Sequence, residues 1–263
     1  MKSILEVSNV SISFGGVVAV DDVSFQARRG EILSIIGPNG AGKTTLFNVI
    51  SGFNKPHKGR VRLNGSDVTG FPTHKLARMG MSRTFQNLQI FFQSSILENV
   101  MIGRARWERT GVLADLLNLP SVRRQNSETR RIASEILERI GLARQAEFIA
   151  GSLPYGSLKR LEIARALASE PTVLLLDEPA AGCNAVETEE MDAFIRAIAD
   201  ANVAVVLIEH DMKMVMRLSS NVLVLSEGRM LAEGPPEVVR NNPSVISAYL
   251  GGHSLVEVSN AAG

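Results

Sequence analysis

The feature that most constrains this 263-residue chain is the run IIGPNGAGKTTLFNVISG at residues 35–52. It opens in an apolar, strand-like stretch, closes in a helical pattern, and carries Gly37-x-x-x-x-Gly42-Lys43-Thr44 between them. Glycines let the backbone curl so that successive N–H groups point into one concavity, which also faces the positive end of the following helix. This arrangement predicts a site for the phosphates of a nucleoside triphosphate.

The residues of this loop have expected contacts with such a ligand. Lys43 is predicted to reach the terminal phosphates, and the Thr44 hydroxyl to be a ligand of Mg²⁺. A glycine-rich turn with a chance lysine is the alternative, and the strand–loop–helix context argues against it. The predicted nucleotide-binding residues of the loop are Gly37, Pro38, Asn39, Gly40, Ala41, Gly42, Lys43, Thr44 and Thr45.

Composition narrows the class of protein. A formal net charge of +1 argues against non-specific nucleic-acid binding, so we expect no nucleic-acid partner. The single cysteine, Cys183, rules out an intrachain disulfide and fits a reducing compartment. The N-terminus lacks a signal-peptide pattern, and no apolar run approaches the roughly 18 residues of a membrane-spanning helix. We therefore expect a cytosolic protein that touches a membrane only through partners.

Apolar periodicity predicts the organisation of the chain. Short strands punctuated by turns lead up to about residue 36, and strands alternate with helices after about residue 155. The stretch from about 95 to 150 is mostly helical in pattern, most clearly in SETRRIASEILERIGL. This layout predicts an α/β nucleotide-binding core, interrupted by a helical insert and followed by a C-terminal extension.

The stretch TVLLLDEP at residues 172–179 reads as a buried strand that ends in two acids. Ligand sites of α/β sheets lie at the carboxyl ends of the strands. Asp177 is predicted to hold Mg²⁺ opposite Thr44, and Glu178 to polarise the water that attacks the γ-phosphate. A surface Asp-Glu pair that starts a turn before Pro179 is the alternative.

Two further polar residues follow predicted strands. Gln86 comes after SRTF, and His210 comes after VAVVLIE. Each alone is more simply explained as a surface residue. Each also ends a strand that we expect to lie beside the P-loop strand, which favours a place in the site. The candidate catalytic residues are therefore Lys43, Gln86, Glu178 and His210.

These motifs, taken in order with the helical insert between them, resemble the ATP-binding cassette of ABC transporters over essentially the whole chain. The stretches SFGGVVAVDDVSF, SRTFQNLQIF, RLEIARALA and IEHDM are similar to the cassettes of branched-chain amino-acid importers. The resemblance implies an α/β P-loop NTPase with a RecA-like core, an N-terminal antiparallel β subdomain and a helical subdomain insert. It implies these divisions: 1–86, the β subdomain and first half of the core; 87–157, the helical subdomain with the signature loop; 158–233, the second half of the core; 234–263, the C-terminal extension.

The resemblance also implies roles for single residues. Phe14 matches the aromatic residue that stacks on adenine, although an ordinary strand-end core residue is the alternative. Gln86 matches the glutamine that contacts Mg²⁺ and the attacking water, and His210 the histidine that hydrogen-bonds the γ-phosphate. Glu178 matches the catalytic base. The implied cofactors are ATP and Mg²⁺, with Thr44, Gln86 and Asp177 as the metal ligands.

The implied function is ATP hydrolysis that powers import of branched-chain or related amino acids across the cytoplasmic membrane. The implied partners are a second cassette, identical or paralogous, two transmembrane permease subunits and an extracytoplasmic solute-binding protein. The implied location is the cytoplasmic face of the cell membrane, as a peripheral protein. Two alternatives stay open: a degenerate ATP-binding switch subunit with low turnover, and a cassette for another solute such as urea or amides.

The signature loop departs from the family pattern. In the family each ATP lies between one P-loop and the partner's Leu-Ser-Gly-Gly-Gln, but residues 153–157 here read LPYGS. Pro154 offers neither a hydroxyl nor a backbone N–H, which removes a hydrogen bond worth about 1.5–3 kcal/mol. Gly156 and Ser157, at the start of a helix, remain the predicted contacts to the partner's nucleotide. We expect ATP-driven dimerisation to be weakened but not abolished.

The resemblance and the residue pattern also indicate surfaces for partners. Residues after Gln86 are predicted to dock on a membrane subunit, namely Asn87, Leu88, Ile90, Phe91 and Phe92. The basic run from Arg104 to Arg131 is either a solvated helical hairpin with its leucines on the core, or a further docking surface. Asn184 is able to hydrogen-bond across a cassette dimer, and Cys183 beside it is expected to be a small buried side chain.

Overall fold

The structure is a computed structural model that describes residues 3–107 and 119–251. In these ranges it contains two β-sheets. The first is antiparallel, with the order β2-β1-β4-β5, where β1 is Ser3–Phe14, β2 is Val17–Arg28, β4 is Lys58–Leu63 and β5 is Ser66–Asp67. The second has the order β10-β9-β3-β8-β7-β6, where β3 is Ile32–Ile36, β6 is Met81–Arg83, β7 is Val173–Asp177, β8 is Ala204–Ile208, β9 is Asn221–Ser226 and β10 is Arg229–Gly234.

The second sheet is the core of the nucleotide-binding unit. Its strands β9, β3, β8, β7 and β6 run parallel, and β10 pairs antiparallel with β9 at the edge. Every residue of β3, β7 and β8 is buried, because each is a short, almost wholly apolar run covered on both faces. One face packs on the antiparallel sheet, and the other packs on helices of the insert and of the second half of the core.

The helices of the core and of the insert lie where the sequence pattern predicts them. The P-loop helix ends just before Ser51, and the pattern at 127–142 belongs to a helix that begins earlier, at Pro120. The α-helices are α1 (Lys43–Ile50), α2 (Thr73–Arg78), α3 (Ile96–Ile102), α4 (Pro120–Arg139), α5 (Tyr155–Ala168), α6 (Ala185–Asp200), α7 (Met212–Leu218), α8 (Pro236–Arg240) and α9 (Pro243–Gly251). Within the described ranges, none of the helices is both long and apolar enough to cross a membrane.

The sheet order corrects one expectation about the site. The strand before His210, β8, does lie beside the P-loop strand β3, as predicted. The strand before Gln86, β6, lies instead at the edge of the sheet and pairs with β7. The pattern of side chains in a parallel strand shows that it is buried but does not encode which strand is its neighbour.

The first residues of the basic run pack on the core rather than being solvated, whereas residues near its end are exposed. Arg104 is only 7% exposed, and its guanidinium lies 2.6 Å from the Glu170 carboxylate. Arg106 donates to the Ala77 carbonyl at 3.0 Å, and the Trp107 indole donates to the Ser169 carbonyl at 3.2 Å. Later in the run, Arg130 and Arg131 form exposed ion pairs with glutamates. Glu108, Arg109, Asp115 and the leucine stretch 112–118 lie outside the described residues.

The C-terminal extension packs beneath the P-loop strand. Val239 of α8 and Val245 of α9 are buried in a cluster with Ile36, the last residue of β3, and Tyr249 packs against this cluster. Burial raises the pKa of Tyr249 to about 12, against the effect of a hydrogen bond with the Gly37 backbone. The extension therefore reaches the first residue of the P-loop.

Candidate nucleotide-binding and catalytic site

The P-loop connects β3 to α1 through a backbone that only glycine adopts readily. Gly42 has φ +96°, and a Cβ there would lie 2.4 Å from the Ala19 carbonyl oxygen. Gly37 is equally confined, because its Cβ would lie 2.1 Å from the Leu225 carbonyl oxygen. The spacing of the glycines thus reflects both backbone conformation and close packing of the loop against neighbouring strands.

Lys43 is the first residue of α1 and lies over the loop. Its Nζ donates to the carbonyls of Gly37 at 2.7 Å and Pro38 at 3.0 Å, and the residue is 7% exposed. Burial lowers the pKa of Lys43, while the nearby charges of Glu178 and Asp177 oppose that shift. The ammonium group therefore lies in the field of both acids.

Asp177 is paired with Arg83, a residue that the sequence analysis did not select. Arg83 Nη2 lies 3.0 Å from Asp177 Oδ2, and both side chains are 6% exposed. Arg83 also donates to Asn48 at 2.7 Å and to Ser51 at 2.8 Å, both in or just after α1. Burial raises the pKa of Asp177, and the hydrogen bond from Arg83 opposes this rise. Arg83 thus connects the acid to the P-loop helix.

Three aromatic rings surround the Arg83 guanidinium. Its Cζ lies 5.0 Å from the ring centroid of Phe85, 5.5 Å from that of Phe47 and 5.6 Å from that of Phe53. Such contacts stabilise a cation, and more strongly when it is removed from water. A cation within the predicted strand SRTF was the available sequence signal for this role, because charged side chains are almost never fully buried unless they are paired.

Glu178, Gln86 and His210 meet in the structure. Gln86 Nε2 donates to Glu178 Oε2 at 3.1 Å, and His210 Nε2 lies 2.9 Å from Glu178 Oε1. Glu178 has φ +50°, an unfavourable conformation for a residue with a side chain, and its N–H donates to the Ile208 carbonyl at 2.9 Å. Three residues from the ends of three strands therefore form one hydrogen-bonded group.

Glu209 is a second residue that the sequence analysis did not select. The residue is 4% exposed and accepts hydrogen bonds from the N–H groups of Ala180 and His210, each at 3.0 Å. Burial raises the pKa of Glu209, and these backbone donors oppose the rise. The carboxylate connects the segment after Glu178 to the loop that carries His210.

Phe14 and the signature residues lie outside this hydrogen-bonded group. Phe14 ends β1 and is 49% exposed, so its ring is accessible for stacking. Gly156 is buried in the first turn of α5, where a Cβ would lie 2.6 Å from Glu187 Oε1. Ser157 accepts a hydrogen bond from Arg160 at 3.2 Å. Pro154 is the N-cap residue of α5.

Asn184 caps the N-terminus of helix α6. Its side chain accepts from the Glu187 N–H, and the Glu187 carboxylate accepts from the Asn184 N–H, each at 3.0 Å. This is a capping box at the start of α6, and the Asn-x-x-Glu spacing is the sequence signal for it. Cys183 beside it is half-buried, and burial raises the pKa of its thiol, so the thiol is not activated.

The residues after Gln86 divide into exposed and buried members. Asn87 is exposed, Phe91 is 50% exposed and Phe92 is 44% exposed. Ile90 is only 8% exposed, so it is not accessible to a partner as predicted, and Leu88 is partly buried against the core. Leu88 and Ile90 therefore anchor this segment to the core.

A P-loop between a parallel strand and a helix, with two carboxylates at the end of a nearby strand, defines a nucleotide-hydrolysing α/β protein. The family model described as ABC transporter matches residues 20–181. A second model, described as branched-chain amino acid ATP-binding cassette transporter, matches residues 229–254. The chain therefore belongs to the ABC transporter family, as an ATP-binding cassette that hydrolyses ATP.

Known proteins resemble this chain over almost its full length. It is 45% identical to the high-affinity branched-chain amino acid transport ATP-binding protein BraF of Pseudomonas aeruginosa, covering 95% of this chain and 98% of that protein. It is also 45% identical to LivG of Escherichia coli K12, with the same coverage. The solved ADP conformation of an ABC-transporter cassette has a TM-score of 0.83 and 31% identity, covering 95% of this chain and 100% of that one. The predicted α/β P-loop fold is thereby confirmed.

Proposed function

We propose that this cassette powers the import of branched-chain or related amino acids by hydrolysing ATP at Glu178. The observation that carries the catalytic assignment is the hydrogen-bonded group of Gln86, Glu178 and His210, which follow the carboxyl ends of strands in the sheet that also carries the P-loop. The solute assignment is supported by the names of the relatives and by the family match over 229–254.

The chemistry of each side chain indicates its role in nucleotide binding and hydrolysis. The loop N–H groups and Lys43 bind the phosphates, and Phe14 stacks on the base. Gln86 orients the attacking water, Glu178 accepts its proton, and His210 hydrogen-bonds the γ-phosphate. Preorganised positive groups in a site of this kind supply most of the rate acceleration.

The metal-ligand set fits Mg²⁺ by the chemistry of its donors. The Thr44 hydroxyl, the Asp177 carboxylate and the Gln86 amide all offer hard oxygen atoms, the kind that Mg²⁺ prefers. Thr44, Asp177 and Gln86 would hold the ion, with Arg83 fixing the position of the Asp177 carboxylate through its 3.0 Å contact to Oδ2. When bound, Mg²⁺ neutralises charge on the phosphate oxygens.

The proposed partners are a second cassette, two transmembrane permease subunits and an extracytoplasmic solute-binding protein, which would hold the chain at the cytoplasmic face of the cell membrane. The proposed permease contact is an aromatic surface formed by Phe91, Phe92, Phe148 and Ile149. These side chains are 44–60% exposed, and backbone hydrogen bonds from Gly151 to Phe92 and from Ile96 to Phe148 hold their segments together. Exposed aromatic side chains in a group favour burial by a partner.

The domain divisions at 86/87, 157/158 and 233/234 are part of the same proposal. The second of them falls within α5, so the signature residues and the second half of the core share one helix. The C-terminal extension from 234 carries α8 and α9.

A regulatory ATP-binding switch with little turnover is a second candidate function. It is favoured by one observation: Pro154, which cannot donate a hydrogen bond, caps the signature helix α5. The intact group of Gln86, Glu178 and His210 speaks against it, because a switch has no need of a catalytic base.

The deciding experiment compares Mg-ATP hydrolysis by the purified parent chain, Glu178→Gln and Glu147→Gln. Glu147 is an exposed glutamate paired with Arg130 and serves as the matched control. We expect Glu178→Gln to abolish turnover while ATP binding persists, and Glu147→Gln to behave as the parent does. Turnover retained in Glu178→Gln would refute the assignment, and ATP binding without turnover in the parent would favour the switch. Uptake of labelled leucine against labelled urea in cells that carry the parent or Glu178→Gln decides the solute.

A further inference from the structure

Helix α5 carries two buried charged residues that the proposed mechanism does not use. Lys159 is 2% exposed and Glu162 is 3% exposed. They are three positions apart, so they project from the same face of the helix. Removing a charged group from water costs free energy unless the group is paired or hydrogen-bonded. The contacts of these two side chains therefore indicate their role.

Lys159 reaches the backbone of two residues of the proposed catalytic group. Its Nζ donates to the Gln86 carbonyl at 2.9 Å and lies 3.5 Å from the Glu178 carbonyl. The ammonium also lies 5.8 Å from the centroid of the Tyr155 ring, at the start of the same helix. One cation therefore connects the signature end of α5, the Gln86 segment and the Glu178 loop.

Glu162 holds the far end of the Gln86 segment. Its Oε1 accepts a hydrogen bond from the Gln89 N–H at 3.1 Å. Burial raises the pKa of Glu162, while hydrogen bonds from the backbone of Gln89 and Phe85 and the charge of Lys159 oppose the rise. The segment from Gln86 to Gln89 is thus attached to α5 at both of its ends.

We propose that Lys159 and Glu162 are positioning residues, which attach the Gln86 segment and the Glu178 loop to the signature helix and so hold Gln86 and Glu178 in place. Hydrogen bonds to an ionised group are about twice as strong as neutral ones, and Lys159 and Glu162 each form one with the segment from Gln86 to Gln89. The same attachment connects the aromatic surface, which begins at Phe91, to the helix whose first turn carries the signature residues. This inference rests on the proposed role of Glu178.

A purely structural role for Lys159 predicts a loss of stability without a specific loss of turnover. Positioning predicts a lower kcat with a nearly unchanged KM, since the phosphate-binding loop is untouched and only the reacting groups shift. A misplacement of about 1 Å costs up to roughly 100-fold in rate.

The test compares kcat and KM for Mg-ATP in the parent, Lys159→Met, Glu162→Gln and Arg104→Met. Methionine keeps the length of the lysine stem and removes its donors. Arg104 is the matched control: it is a buried cation, but it pairs with Glu170 and the Ala168 carbonyl. For Lys159→Met we expect kcat to fall roughly 10- to 100-fold with KM within about twofold. For Arg104→Met we expect kcat within about twofold of the parent, whatever its melting temperature.

Hydrogen exchange supplies a readout that does not depend on turnover. Glu162→Gln keeps the volume of the side chain and replaces the ionised acceptor of the Gln89 N–H by a neutral, weaker one, so the Gln89 amide should exchange faster and kcat should fall with KM unchanged. If Lys159→Met does not fold, the results for Glu162→Gln alone test the positioning role. Unchanged exchange at Gln89 together with unchanged kcat would overturn the proposal.

Other outcomes separate this inference from the assignment of Glu178. If Glu178→Gln is inactive but Lys159→Met turns over within about threefold of the parent, the positioning role is wrong and the catalytic assignment stands. An equal loss of kcat in Lys159→Met and Arg104→Met would likewise refute positioning. Turnover retained in Glu178→Gln would refute the catalytic assignment itself.

Discussion

Replacing Arg83 by methionine should destabilise the fold strongly. Arg83 and Asp177 are each 6% exposed and lie 3.0 Å apart, so the change leaves a carboxylate buried without its counter-charge. Breaking a buried pair in this way costs about 3–5 kcal/mol of unfolding free energy. In a chain of this size that lowers the melting temperature by on the order of 6–20 °C.

Urea unfolding of the parent and of Arg83→Met measures this difference directly. Arg130→Met is the matched control, because its pair with Glu147 is exposed on both sides and should contribute about 0–1 kcal/mol. Adding Asp177→Asn to Arg83→Met should recover part of the loss, since an amide needs no counter-charge. A loss for Arg83→Met no larger than that of the control would refute the reasoning. A full loss that Asp177→Asn does not relieve would assign the loss of stability to the other contacts of Arg83, with Asn48, Ser51 and the aromatic rings.

Three further predictions concern the signature loop, the aromatic surface and the C-terminal helix. Pro154→Ser with Ser157→Gln should strengthen ATP-driven dimerisation by roughly 1.5–3 kcal/mol, measured by light scattering; unchanged dimerisation and hydrolysis would contradict the role given to the loop. Phe91→Ala with Phe92→Ala should release the cassette from permease-containing membranes while ATP binding persists, and retained sedimentation with membranes would count against the docking surface. Because burial raises the pKa of Tyr249 from 10.0 to about 12, the folded state binds more protons than the unfolded state in that window. Stability should therefore fall as pH rises from 10 to 12, and less steeply in Tyr249→Phe.

Much of the site could be predicted from the sequence because its motifs consist of residues that are close together in the chain. The P-loop is a single strand–loop–helix unit, and its motif lies within eight consecutive residues, so the pattern is visible in the sequence even though the packing of Gly37 and Gly42 on other strands is not. The strand before Asp177 is a run of apolar residues, and the carboxyl end of such a strand is where ligands bind. The apolar runs of β3, β7 and β8 likewise predicted a buried parallel sheet.

What the sequence did not contain is the set of contacts between distant segments. Gln86 reaches Glu178 because β6 pairs with β7, and no periodicity in either strand states that pairing. From the sequence, Arg83 is only a basic residue in a strand and Lys159 a basic residue in a helix. In the structure, Arg83 pairs with Asp177 and Lys159 donates a hydrogen bond to the Gln86 carbonyl.

The sequence by itself therefore determined the phosphate-binding loop, the buried strands and the acids at their ends. Each of these follows from backbone conformation or apolar periodicity within a few consecutive residues. Only the tertiary structure decided which charged side chains are buried and which catalytic groups meet. Those contacts depend on strand order and crossover paths, because they join residues that lie 32 to 94 positions apart in the chain.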